Sequence, residues 1–210
     1  MNPTRRSLIA AAAAAALPLP LALRAEQNYS TLAQALPVEN PAKVEIAEFF
    51  WYGCIHCYHL EPSLETWIPK LPKDAYFRRI PAVFNERWAL DAANFYAFES
   101  LGVLDKVHRA FFDAIHKDHV RTDNPAALNE WLARNGVDVK KFEAAVKSFG
   151  VQSKVKRAAQ LTAAARIDGT PALMVQGRYT VSAEQGGTQK GMLAAAEQLI
   201  PLARKSLAAK

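Results

Sequence analysis

The stretch Phe49–Leu60, "FFWYGCIHCYHL", holds both cysteines of the 210-residue chain, three positions apart. The residues before it, "KVEIAEFFWYG" (Lys43–Gly53), carry Val44, Ile46, Phe49, Phe50 and Trp51. A short, apolar, β-branched and aromatic run of this kind predicts a buried strand. After the cysteines, Leu60, Leu64, Trp67, Ile68 and Leu71 recur at helical spacing. The cysteines therefore fall where a strand gives way to a helix.

Three roles compete for such a pair. A disulfide between Cys54 and Cys57 would close a loop of about four residues, which gives roughly 2 kcal/mol in the chain-entropy picture. A staple placed for stability would join distant segments instead. Haem attachment through C-x-x-C needs a histidine next, and Tyr58 stands there. Zinc would need four ligands, and His56 or His59 would have to supplement the two thiols. His116 and His119, with Asp113 and Asp118, form another possible ligand group, read here as solvated residues near a helix end. No metal site is expected.

The third role is a redox centre. At a strand-to-helix turn, free backbone N–H groups and the positive end of the helix dipole face the sulfur of Cys54. The imidazole of His56 would add a donor or a positive charge. Both stabilise a thiolate and lower its pKa. Cys57, one turn into the helix, should be more buried. Client thiols would then attack Cys54, with Cys57 as its internal partner. A stabilised thiolate favours the reduced dithiol, which makes the disulfide an oxidant.

The ends of the chain bear on compartment. Arg5 and Arg6 precede an unbroken apolar stretch, Leu8–Leu23, and then Arg24-Ala25. This is the layout of a signal peptide over residues 1–25, cleaved after Ala25. The stretch is short for a membrane span and contains Pro18 and Pro20. "TRRSLI" (Thr4–Ile9) also resembles a twin-arginine export signal, though many general signals carry two arginines. The full chain has 26 basic and 20 acidic residues. Cleavage removes three arginines and no acid, so the net charge falls from +6 to +3. Nothing in that balance calls for a nucleic-acid partner. Export leads to an oxidising compartment where disulfides persist.

Outward from the cysteines, Pro62 is expected to kink the helix and Pro69 and Pro72 to end it. "AYFRRIPAVF" (Ala75–Phe84) reads as a second strand, parallel to the first in a βαβ unit. Tyr29–Pro37 is an entry segment with a short edge strand. From Glu86 to Gly150 the pattern is wholly helical, with "DNPAALNEWLARNG" and "DVKKFEAAVKSFG" each ending on a glycine. A helix over 152–166, a hairpin about Gln176-Gly177 and a closing helix over 190–205 complete the chain. The expected parts are residues 26–84 and 151–210 as one domain, interrupted by a helical insertion over 85–150.

With those elements in place, "EFFWYGCIHCYHLEP", "LGVLDKVHRAFFDAI" and "DGTPALMVQGRYTVS" together resemble the DsbA family of periplasmic thiol–disulfide oxidoreductases. The resemblance implies an α/β thioredoxin fold with an inserted all-helical domain. It implies catalysis by Cys54 and Cys57, with the pair itself as the redox group and no separate cofactor. His56 matches the histidine between the cysteines. Thr170-Pro171 matches a client-facing loop with a cis proline, and Ile55 borders the same surface. Glu48 and Glu61 match a buried acidic pair that tunes the thiols, with Arg79 near a position that offsets them. The family pattern also implies exported client proteins with reduced cysteines, a DsbB-like membrane quinone oxidoreductase, a monomer and a periplasmic location. Two residues depart from the familiar pattern: Ile55 stands for proline in the ring, and Thr170 for valine before the cis proline. A reductase or isomerase for particular clients, and a non-catalytic metal-binding or holdase module, are the alternatives.

Overall fold

The computed structural model describes residues 28–208; the expected signal peptide lies outside them. The strands are β1 (Ser30–Thr31), β2 (Val44–Phe50), β3 (Ala75–Pro81), β4 (Ala172–Val175) and β5 (Tyr179–Ser182). They form one mixed sheet in the order β1-β5-β4-β2-β3. β2 pairs in parallel with β3 and antiparallel with β4. β1 is the expected edge strand, paired with β5.

All seven residues of β2 are buried, as befits a central strand covered on both faces. Two of them are glutamates, Glu45 and Glu48. Glu45 is matched by Arg78 at 2.9 Å and accepts from the Tyr76 hydroxyl at 2.6 Å. Glu48 has no such set of donors.

The helix after the cysteines, α1 (Ile55–Trp67), continues through Pro62 and passes into a 3-10 turn, Ile68–Lys70, where Pro69 sits. Five helices lie between β3 and β4: α2 (Glu86–Ser100), α3 (Leu104–His116), α4 (Pro125–Arg134), α5 (Val139–Lys147) and α6 (Phe149–Ala164). Two short-range expectations fail here. α5 stops at Lys147 and Gly150 lies inside α6, because the Ser148 side chain accepts from the Val151 N–H and starts a new helix. α6 ends at Ala164, two residues before Arg166, whose φ of 55° leaves the helical region. A short helix, α7 (Ala183–Gly186), follows β5 through a Ser182–Gln185 capping box. The chain closes with α8 (Gln189–Ala208). The β4–β5 turn sits at Gln176-Gly177; Gly177 has φ +61° and a side chain there would strike the Leu36 backbone.

The whole is a thioredoxin fold carrying an inserted helical block. α1 and α8 pack Leu60, Leu64, Leu193, Ala196 and Leu199 on one face of the sheet, with Val44, Ile46 and Leu173. The helical block is not a separate body. Phe50, Tyr52, Cys57 and Tyr58 share a single core with Phe95, Phe98, Phe111, Phe112 and Trp131. Each fully buried phenylalanine contributes about 2 kcal/mol of transfer free energy. The insertion thus forms the apolar wall against which Cys57 is buried. No helix among the described residues is long and apolar enough to cross a membrane.

Candidate active site

Cys54 is the N-cap of α1, with extended backbone (φ −85°, ψ 114°). Its Sγ accepts from the Cys57 N–H at 3.4 Å. The position is enforced by a close turn: Gly53 lies against the Trp51 indole, and any Cβ there would enter the ring. Trp51 is itself held, stacked on Trp88 at 4.3 Å and donating from Nε1 to Asp91 at 2.8 Å.

The two sulfurs differ sharply. Cys54 is part-exposed, and its pKa is lowered from 9.0 to about 5. The largest cause is a hydrogen bond from the Cys57 side chain; burial opposes it. The Thr170 side chain and the N–H groups of Cys57 and His56 add to the lowering. Cys57 is fully buried, and burial pushes its thiol well above 9.0. The asymmetry has two geometric sources: Cys54 caps the helix and receives donors from Cys57 and the helix N-terminus, whereas Cys57, one turn in, is buried.

From the far end of the chain, Thr170 reaches the same sulfur. Its carbonyl oxygen lies 3.2 Å from Cys54 Sγ and accepts from the thiol. The Thr170-Pro171 bond is cis. Pro171 joins His56, Ala183, Gly187, Thr188, Gln189 and Met192 around a cavity of about 220 Å³ beside the redox pair. Ile55 is 42% exposed, an apolar residue at the rim of the site. The His56 side chain is exposed too, and the contact of this residue with the thiolate is made by its backbone N–H.

Glu48, Glu61 and Arg79 form a buried group beside the sulfurs. The parallel register sets Glu48 directly opposite Arg79, and Glu61 is one helical turn beyond Cys57. Arg79 donates to both oxygens of Glu61, at 3.2 and 2.8 Å. It approaches Glu48 only to 3.5 Å, without a hydrogen bond. Burial, and then the Glu61 charge, raise the Glu48 carboxyl to about 8. Glu61 is held below its ordinary 4.5: burial raises it, but hydrogen bonds from His108 and Arg79 and the Arg79 charge outweigh that.

Two residues of this group carry little local signal in the sequence. His108 of α3 contacts Glu61 through Nε2 at 3.2 Å, and Tyr52 through Nδ1 at 2.8 Å. The one hint was a polar ring on the apolar face of α3, among Val107, Phe111 and Phe112. Of the suspected metal group, His116 is no solvated residue. Its Nε2 donates to the Tyr52 carbonyl at 2.8 Å and its ring stacks on Tyr58. Asp113 accepts from the Tyr58 hydroxyl at 2.8 Å. No cluster of metal-ligating side chains occurs among the described residues.

A thioredoxin sheet, a thiolate capping the first helix and a buried second thiol define a thiol–disulfide oxidoreductase. The comparisons with known proteins narrow this. Residues 70–194 match the DSBA-like thioredoxin domain. The thiol:disulfide interchange protein DsbA of Azotobacter vinelandii is 40% identical, over 88% of this chain and 86% of that protein. DsbA of Bordetella parapertussis is 39% identical over 95% of this chain and 97% of its own length. The crystal structure of Pseudomonas aeruginosa DsbA superposes with a TM-score of 0.81 at 38% identity, over 88% of this chain and 95% of that one. The oxidoreductase NmDsbA1 of Neisseria meningitidis gives 0.74 at 31% identity, over 86% and 93%. The chain belongs to the DsbA family.

Proposed function

We propose that the Cys54–Cys57 pair introduces disulfides into exported proteins in the periplasm, with no cofactor beyond its own disulfide. The inequality of the two sulfurs carries this reading. A client thiolate attacks Cys54 Sγ, and the Cys54–Cys57 bond breaks. The electron pair leaves on Cys57, whose high pKa requires a proton; the Glu48 carboxyl, raised to about 8, is the stronger acid and lies within electrostatic reach. A second client thiolate then attacks the client sulfur of the mixed disulfide. Cys54 departs as the stabilised thiolate. The client gains a disulfide and the enzyme is left a dithiol, with two electrons transferred.

The client lies as an extended segment along Thr170 and Pro171, with apolar contact at Ile55. Main-chain pairing of this kind tolerates many sequences. Reoxidation returns the two electrons to a membrane partner of the DsbB type, a quinone-linked oxidoreductase, and the enzyme works as a monomer. Glu48 and Glu61 tune the pair; Ile55 and Thr170 set its potential apart from that of relatives with proline and valine there.

The test is the Cys57→Ser variant mixed with reduced client proteins. It should accumulate mixed disulfides through Cys54, which dithiothreitol releases. The native pair, equilibrated with glutathione, should be more oxidising than thioredoxin, at about −270 mV. A potential at that value, or no trapped adduct, would overturn the oxidase reading.

A further inference from the structure

The inserted helical block does more than wall in Cys57. We propose that His108 is a positioning residue of the exchange site, which assigns the negative charge of the buried carboxylate pair to Glu61 and the shared proton to Glu48. The inference rests on the reading that Glu48 tunes the redox pair.

Two buried carboxylates share one cation. Arg79 is the guanidinium between Glu48 and Glu61, and all three are at least mostly buried. Two anions against one cation, out of water, cost far more than one, so a proton stays on the pair. Which oxygen keeps it depends on the remaining donors. Both Glu48 oxygens lack a hydrogen-bond partner. Glu61 Oε1 faces the Arg79 Nε and the His108 Nε2, each at 3.2 Å. Among the described residues, His108 is therefore the one donor outside Arg79 that adds to the inequality of the two acids.

The tautomer follows from the neighbours. The Glu61 carboxylate oxygen can only accept from His108 Nε2, and the Tyr52 phenol, which burial raises well above 10.0, keeps its O–H facing Nδ1 at 2.8 Å. Nδ1 is then the acceptor and Nε2 carries the hydrogen, pointing at Glu61. The ring is enclosed by Phe50, Phe95 and Phe112 at centroid distances of 5.2–6.1 Å, which disfavours imidazolium. Burial accordingly pushes the His108 pKa down from 6.5. The charged and titratable groups around it are Glu61 on α1, Arg79 on β3, Tyr52 before α1 and Asp105 on α3. A neutral imidazole gives Glu61 a hydrogen bond without adding a second cation that would also hold Glu48 ionised.

Removing the donor makes the Glu61 anion less favourable and lets the charge move to Glu48. The experiment follows Glu48 by carboxyl ¹³C NMR in the reduced mature protein, together with the potential at pH 7. In His108→Phe, the Glu48 midpoint should fall by at least about one pH unit, a tenfold change in its proton affinity. His108→Gln, whose amide N–H can replace Nε2–H, should restore it to within about 0.3 unit. Tyr52→Phe, which frees Nδ1, should shift it the same way by less. An unmoved midpoint in a folded His108→Phe protein, or equal shifts in the Phe and Gln variants, would overturn the inference. If His108→Phe loses its near-UV dichroism, Tyr52→Phe decides: an unmoved midpoint there overturns it. A midpoint that moves while potential and exchange rate stay fixed supports the role of His108 and overturns the tuning role of Glu48 instead.

Discussion

Cys54 Sγ and the carbonyl oxygen of Thr170 stand 3.2 Å apart, although 116 positions separate them in the chain. The reactive sulfur is thus clasped between the start of α1 and the loop entering β4. On the proposed function, a client strand pairing along that loop would be brought to the sulfur by the same contact.

The first prediction concerns that sulfur. Absorbance of the reduced protein at 240 nm should titrate with a midpoint near 5, the value to which Cys54 is lowered. A depressed thiol pKa stabilises the folded reduced form fully above the unfolded value of about 9, and the gain is lost as pH falls to about 5. Reduced protein should therefore outlast oxidised protein in urea, by a margin shrinking about 1 kcal/mol per pH unit from pH 8 to 6, after discount for partial exposure. A margin independent of pH would contradict it.

Thr170→Val isolates one cause of the lowering. The Thr170 side chain contributes a hydrogen bond to the thiolate. Its loss should raise the Cys54 midpoint by about 0.5–1 unit. The same 240 nm titration checks this, and an unchanged midpoint would show that the hydroxyl does not reach the sulfur.

Glu48→Gln should stabilise the protein. A carboxyl raised to about 8 is held protonated by the fold. Stability therefore falls as pH rises from about 4.5 to 8, where the unfolded chain releases the proton and the native state keeps it. The variant's advantage in urea unfolding should be small at pH 4.5 and about 4 kcal/mol at pH 8. A constant difference across that range would mean Glu48 is ionised in the native state.

Gly53→Ala tests the turn. The added methyl would enter the Trp51 ring, which Trp88 and Asp91 hold in place. Overpacking of this sort costs about 1–3 kcal/mol. Denaturant unfolding followed by tryptophan fluorescence should show that loss, with a changed native emission as Trp51 leaves its stack.

The redox pair, the strand before it and the helix after it were legible in residues 43–71, because periods of 2 and 3.6 are written in near neighbours. So were most helices of the insertion, although Ser148 outcompeted Gly150 as the boundary: a side-chain cap satisfies real N–H groups. Resemblance pointed to Glu48, Glu61 and Arg79, but the sequence could not say how one guanidinium is divided. That was decided by the β2–β3 register, which sets Arg79 opposite Glu48 while its hydrogen bonds go to Glu61. His108 and Tyr52 were not legible as partners: His108 meets Glu61 from 47 positions along the chain, and Tyr52 meets His108 from 56. Local pattern determines which residues share a face. Only packing decides which buried charge finds a partner and which keeps its proton.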